Sequence, residues 1–170
     1  MNPQVRNKVA FATKFVGLLV IFYAVIAFHP VNDYVVVPFT ATITRVAGSA
    51  VRVFDRDAMV RGTIITSSRF GIDVKNGCNA IETMALFSAA VLSFPAPLSR
   101  RLAALLIGLP ALQLVNVVRL TSLFWLGTRH PDVFDVFHVA VWQVVIILIG
   151  VAMFGTWSSF VVARATVNAR

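Results

Sequence analysis

Acidic residues and cysteine are the scarcest chemistry in this chain, with 7 Asp and Glu against 15 Lys and Arg, and a single thiol at Cys78. One cysteine excludes an internal disulfide, and no CxxC or Cys/His cluster has zinc-ligand spacing. The three histidines, His29, His130 and His138, are too scattered to form a ligand set, and no glycine-rich phosphate loop is present. No metal, nucleotide or organic cofactor is therefore expected. Charge of either sign is also sparse. Only 13% of the 170 residues are charged, 58% are hydrophobic and the mean hydropathy is +0.83, which excludes an ordinary water-soluble globule. The net charge of +8 would suit nucleic acid if the cations formed a patch. They flank apolar runs instead, so the expected partner is the lipid bilayer and not nucleic acid.

Four apolar runs predict an all-α integral membrane protein in a single domain covering 1–170. The first is 9–28, broken only by Lys14 near its start and without the short apolar core and Ala-x-Ala exit of a cleaved signal, so an uncleaved anchor is expected. Residues 29–77 are the one sizeable polar stretch and form a small outer cap. Within it, 35–54 carries Arg45 and Arg52 among apolar residues, as in a helix lying along the interface, and 59–67 and 70–75 alternate like two short strands. The second span, 79–94, stops at Pro95 and Pro97. The third, 102–125, contains Pro110 and Arg119. A polar turn over 127–135 leads to the fourth, 138–157.

Orientation follows from cations at the span ends. Arg6, Lys8, Lys14, Arg100, Arg101, Arg164 and Arg170 have no acid among them. The opposite side carries as many cations, but most of those lie in the one long loop, where the rule is weak. Both termini are therefore expected in the cytoplasm, with the cap outside.

This threading sets three reactive residues at one depth. At about 1.5 Å per residue, Cys78 lies roughly 24 Å above Phe94, Arg119 roughly 26 Å above Leu102 and His138 roughly 29 Å above Trp157. Their chemistries are complementary. A thiol at a helix N-terminus beside a cation is expected to have a lowered pKa. An imidazole can take its proton and return it to a leaving amine, and a permanent guanidinium can stabilise an oxyanion. Together they describe acyl transfer through a thioester. Asn79 suits the N-cap of the second span, with Glu82 three residues on as in a capping box. Glu82 also suits an ion pair with Arg119, and Asn116, one turn before Arg119, suits a role in orienting it.

Each residue has a plainer reading too: Cys78 as an apolar filler, His138 as an interfacial side chain, Arg119 as a structural ion pair. His29 and His130, each followed by proline, read as loop residues.

Asn76-Gly77-Cys78-Asn79-Ala80-Ile81 heading one span, Asn116-Val117-Val118-Arg119-Leu120 late in the next and Phe137-His138 opening the last resemble the exosortase and archaeosortase family of integral membrane cysteine transpeptidases. The small size resembles the short form, exosortase H. The resemblance covers roughly 76–145. It implies Cys78 as nucleophile, Arg119 as oxyanion stabiliser and His138 as general acid and base, with Asn79, Glu82 and Asn116 in support. It further implies a bacterial inner-membrane enzyme with its site facing outward. The implied substrates are proteins ending in a short motif, a transmembrane helix and a basic tail, and the implied acceptor is a glycan or lipid-linked group of the envelope. Ala80 departs from the glycine that many members have two residues past the cysteine. The strands within 59–75 offer an edge to which an extended substrate motif can pair. The competing reading is a non-catalytic membrane subunit of an envelope export assembly, held together by Arg119 and Glu82. A transporter is disfavoured because four short spans contain few polar residues to line a route.

Overall fold

The computed structural model describes residues 3–167, so Arg170, counted above in the C-terminal flank, lies outside the described residues. The chain forms α1 (Pro3–Ala27), α2 (His29–Val31), a π-helical turn (Asn32–Val36), α3 (Val37–Val51), β1 (Met59–Arg61), β2 (Ile64–Thr66), β3 (Gly71–Asp73), α4 (Ile81–Ser93), α5 (Leu98–Arg129), α6 (Pro131–Val136), a second π turn (Phe137–Val141) and α7 (Trp142–Val167). Four helices are long and apolar enough to cross a membrane: Val5–Ala27, His29–Val51, Leu98–Arg129 and Pro131–Arg164.

The number of long helices agrees with the sequence reading, but its membership differs. The expected second span, 79–94, is the shorter helix Ile81–Ser93, and the expected interfacial segment 35–54 belongs to the continuous helix His29–Val51. Phe28 is extended, with φ −70° and ψ 118°, and ends α1; Pro30 then lies in the first turn of the new helix, where a missing N–H costs nothing. The first π turn falls just before Pro38, which cannot donate to the carbonyl four residues back. His29 is thus helical and not a loop residue.

The last two spans also run longer than expected. The polar turn anticipated over 127–135 shrinks to a break at His130, flanked by α5 and α6, and α5 continues through Pro110 as one element. The strand anticipated over 59–67 is a hairpin. Gly62, at φ +60°, turns β1 into β2, and β3 completes an antiparallel sheet in the order β1-β2-β3.

Two ends of the bundle are distinct. At one, the Phe11 ring of α1 packs edge-on to Phe94 at 6.4 Å and stacks near Phe154 of α7 at 6.3 Å, and Arg100 donates to the carbonyl of Val161 at 3.5 Å. Phe87, Val91, Ala104 and Leu112 form the core there, with Ile149, Met153 and Trp157 against them. Gly108 of α5 leaves the notch that the Phe87 ring fills.

At the other end, Ala47, Val51, Ile65, Val74, Cys78, Leu120 and Phe124 form a second core under the sheet. Helix His29–Val51 belongs to this end. Asn32 accepts a hydrogen bond from Asn76 at 2.9 Å, Thr40 accepts one from Asn79 at 2.9 Å, and Ala50 faces Val117, Thr121 and Trp125 in the later half of α5 across a shared cavity. It is the least apolar of the four long helices, with a hydropathy of 1.3 against 1.8 to 2.4 for the others.

Candidate active site

The loop between β3 and α4 delivers Cys78. Cys78 N–H donates to the Lys75 carbonyl at 2.9 Å, closing a β-turn whose third position, Gly77, has φ +87°. That conformation favours glycine, which accounts for the Asn76-Gly77-Cys78 string. Asn79, fully buried, then ties the loop to two helices. Its Nδ2 donates to Thr40 Oγ1, and its carbonyl accepts from Gln113 Nε2 at 3.0 Å.

The expected capping box is displaced. α4 begins at Ile81, and its N-cap position is Ala80, held at φ 61° and ψ 11°. Asn79 Oδ1 accepts from Ile81 N–H at 3.1 Å, and Glu82 Oε1 reaches back to Gly77 N–H at 2.9 Å. Glu82 therefore secures the turn that carries the cysteine. Ala80 thus adopts a left-handed backbone that a glycine would take without strain.

The three residues read from the sequence as co-planar come together. Cys78 Sγ lies 2.7 Å from His138 Nε2. Arg119 of α5, 1% exposed, donates from Nη1 to the Gly77 carbonyl and from Nη2 to the His138 carbonyl, each at 3.4 Å. It thereby joins the cysteine turn to the histidine helix. The His138 carbonyl belongs to the second π turn, a local widening of the kind that often accompanies functional sites.

The expected ion pair between Arg119 and Glu82 is not formed; the one ion pair among the described residues is Lys75 with Asp73 at 3.8 Å. Asn116 donates to Gln113 Oε1 at 3.5 Å, and no bond joins it to Arg119. Arg119 Nε and Glu82 Oε2 are buried without partners.

A cavity of about 150 Å³ opens onto this cluster, lined by β3 and Val74 on one side and by Cys78, Leu120, Leu123, Phe134 and His138 on the other. Phe134 stacks on the His138 ring at 5.4 Å and 19°, fixing the imidazole plane, and meets Phe70 at 5.1 Å. The Phe70 ring in turn fills a notch at Gly127.

The thiol's electrostatics correct the sequence reading. Burial pushes the Cys78 thiol above its ordinary value; the Arg119 charge pulls it down and Glu82 pushes it up, and burial dominates.

Thr40, Gln113 and Phe134 escaped the sequence reading. Gln113 had a signal, since Gln113, Asn116 and Arg119 follow one another at three-residue spacing within an apolar helix. Phe134 had one too, four residues before His138 in a single helical run, whereas Thr40 had none, because only tertiary packing brings it to the loop.

In comparison with known proteins, a family model described as transmembrane exosortase matches residues 7–158. No curated protein and no solved structure matches.

Proposed function

We propose that this chain, which belongs to the transmembrane exosortase family, is a membrane-embedded cysteine peptidase and transpeptidase that cleaves C-terminal sorting signals and passes the acyl group to an envelope acceptor. The observation that carries this reading is the 2.7 Å approach of Cys78 Sγ to His138 Nε2 in a cavity, with the Arg119 guanidinium bridging the two segments that hold them.

With Nε2 of His138 2.7 Å from the sulfur, the first step is general-base transfer. His138 Nε2 takes the Sγ proton as the sulfur attacks the substrate carbonyl. The S–C bond forms, and the carbonyl oxygen becomes an oxyanion stabilised by Arg119, whose buried Nε and fixed charge are free to serve it. Collapse breaks the C–N bond, and the imidazolium proton goes to the leaving amine, leaving a thioester on Cys78. The acceptor's nucleophile, or water, then gives its proton to His138 as it attacks the thioester, and the sulfur leaves as thiolate to recover that proton.

Arg6, Lys8, Arg100, Arg101 and Arg164 flank the end opposite Cys78, and the positive-inside rule makes that end cytoplasmic and the site outward-facing. In this reading the membrane is the bacterial inner membrane, and residues 29–77 form its outer cap. The substrates are proteins with a motif, a transmembrane helix and a basic tail, and the acceptor is a glycan or lipid-linked group. A substrate anchored in the same bilayer brings its motif to Cys78 at fixed depth and raised effective concentration.

The test is co-expression with such a substrate. Cys78→Ala abolishes processing, by about a thousandfold or more, while membrane insertion stays normal, and the native enzyme yields a hydroxylamine-sensitive adduct at Cys78. Unchanged processing in Cys78→Ala would instead favour a non-catalytic subunit.

A further inference from the structure

The strand next to the cavity has an unused edge. In the β2–β3 ladder, Val74 N–H donates to the Thr63 carbonyl at 2.9 Å and Ser67 N–H to the Phe70 carbonyl at 2.8 Å. The register pairs Ile65 with Ile72. Antiparallel pairs alternate, so Phe70, Ile72 and Val74 turn their main-chain groups toward β2, and Gly71 and Asp73 turn theirs away from it. β3 is an edge of the sheet, and its residues Gly71, Ile72 and Asp73 line the cavity together with Cys78, Phe134 and His138. The cavity thus has main-chain donors and acceptors on one wall and the sulfur and imidazole on the other. The Phe70–Phe134 contact closes it at the start of β3, and the chain leads from the end of β3 directly to the cysteine turn.

We infer that the substrate segment around the scissile bond binds as an extended strand added to the free edge of β3, exchanging main-chain hydrogen bonds with Gly71 and Asp73. This rests on the proposed function and specifies how the substrate is held. A polypeptide entering the cavity carries unsatisfied N–H and C=O groups at a strand's two-residue spacing, and alternate residues of β3 present the complementary set. The strand addition anticipated from the sequence is thereby narrowed to one edge. β2 is central and has no free side, so proline at Ile64 or Ile65 would test the sheet and not the docking. Recognition falls mainly on backbone, and side-chain selectivity on the alternate substrate positions that face Leu123 and Phe134.

Two experiments with the full-length protein in membranes decide this. Gly71→Pro and Asp73→Pro each delete an outward N–H while leaving the β2–β3 ladder bonds intact, and edge strands accept proline. Each lowers processing of the co-expressed substrate about five- to tenfold at normal insertion, as the loss of one hydrogen bond does, while Asp73→Ala, which like the proline loses the carboxylate's contacts with Thr63 and Lys75 but keeps its N–H, lowers it less than about threefold.

Independently of turnover, Cys78→Ala provides a cysteine-free chain. Asp73→Cys in that background, paired with single cysteines walked along the substrate motif, forms disulfides that rise and fall with a period of two residues. Proline variants that process at the wild-type rate, or cross-links without that period, overturn the strand inference and leave the thiol chemistry standing. Normal processing by Cys78→Ala overturns the proposed function first, and this inference with it.

Discussion

The two ends of the bundle are built from different materials. Around Phe94 the contacts are aromatic and aliphatic, four rings from α1, α4 and α7 meeting edge-on or stacked, with a glycine notch receiving a fifth. Around Cys78 the buried residues include Thr40, Asn79, Gln113, Asn116 and Arg119, joined by hydrogen bonds from three separate segments. Buried side-chain atoms without partners occur at both ends, those of Glu82, Asn116, Arg119 and Thr121 here and those of Ser93 and Arg101 at the other. In an apolar surrounding such atoms are costly; what separates the ends is the set of buried polar residues, of which Thr40, Asn79, Gln113, Asn116 and Arg119 lie at the Cys78 end and Ser93 at the other. The Phe94 end holds the helices together; the Cys78 end spends part of that stability on polar groups.

The largest expected effect sharpens the contrast. Arg119→Lys keeps the charge but loses the planar fork that spans the Gly77 and His138 carbonyls, and it should lower processing by about a hundredfold or more with little change in the amount inserted. A loss under about threefold would make Arg119 a structural cation only. Gly108→Leu strikes the other end. The new side chain overlaps the Phe87 ring, so stability falls by about 1–3 kcal/mol, read as a lower unfolding temperature in detergent, while turnover per folded molecule is unchanged. Loss of turnover at full stability would couple the two ends.

Smaller effects concern the cysteine loop itself. Ala80→Gly relieves a left-handed alanine and should stabilise by about 0.5–1 kcal/mol, raising the unfolding temperature without altering cleavage chemistry. The pH profile of Cys78 alkylation reports its environment. Burial disfavours the thiolate, so the folded midpoint lies above that of the same thiol in the unfolded chain, and alkylation below it is slower than for the unfolded protein. Arg119→Gln removes the charge that favours the thiolate and moves the midpoint higher still, while Glu82→Gln moves it lower. A folded midpoint at or below the unfolded one would mean that the cation outweighs burial.

The sequence was most informative where one physical constraint dominates. Long apolar runs located α1, α5 and α7, and helical rise alone brought Cys78, Arg119 and His138 to a common level. It was weaker where local signals compete. Arg45 and Arg52 suggested an interfacial segment starting at 35, but the prolines at 30 and 38 both sit in helical first turns, so the helix begins at His29. Alternation across 59–67 read as one strand because Gly62 is a single residue among β-formers. Glu82 was assigned its N-terminal role but not its partner, since a cap bond to Gly77 depends on the left-handed Ala80 that shifts the helix start. The thiol's raised pKa was hidden for the same kind of reason: a charge and a helix end can be read from spacing, but burial is a property of the assembled core.

α4 has 13 residues, about 20 Å of helix, and packs beside α1, which has 25. The hydrocarbon layer is about 30 Å thick, so a helix this short leaves a shortfall of about 10 Å. The turn of Lys75 to Ala80 leads into the head of α4. Irregular backbone inside a bundle persists only where protein takes over the work of solvent, and Gly77, Cys78, Asn79 and Ile81 all have main-chain groups engaged within this one short turn. The brevity of α4 thus hands the sulfur to a turn braced by its neighbours and not to a helix, so that its position is set by three separate parts of the chain at once.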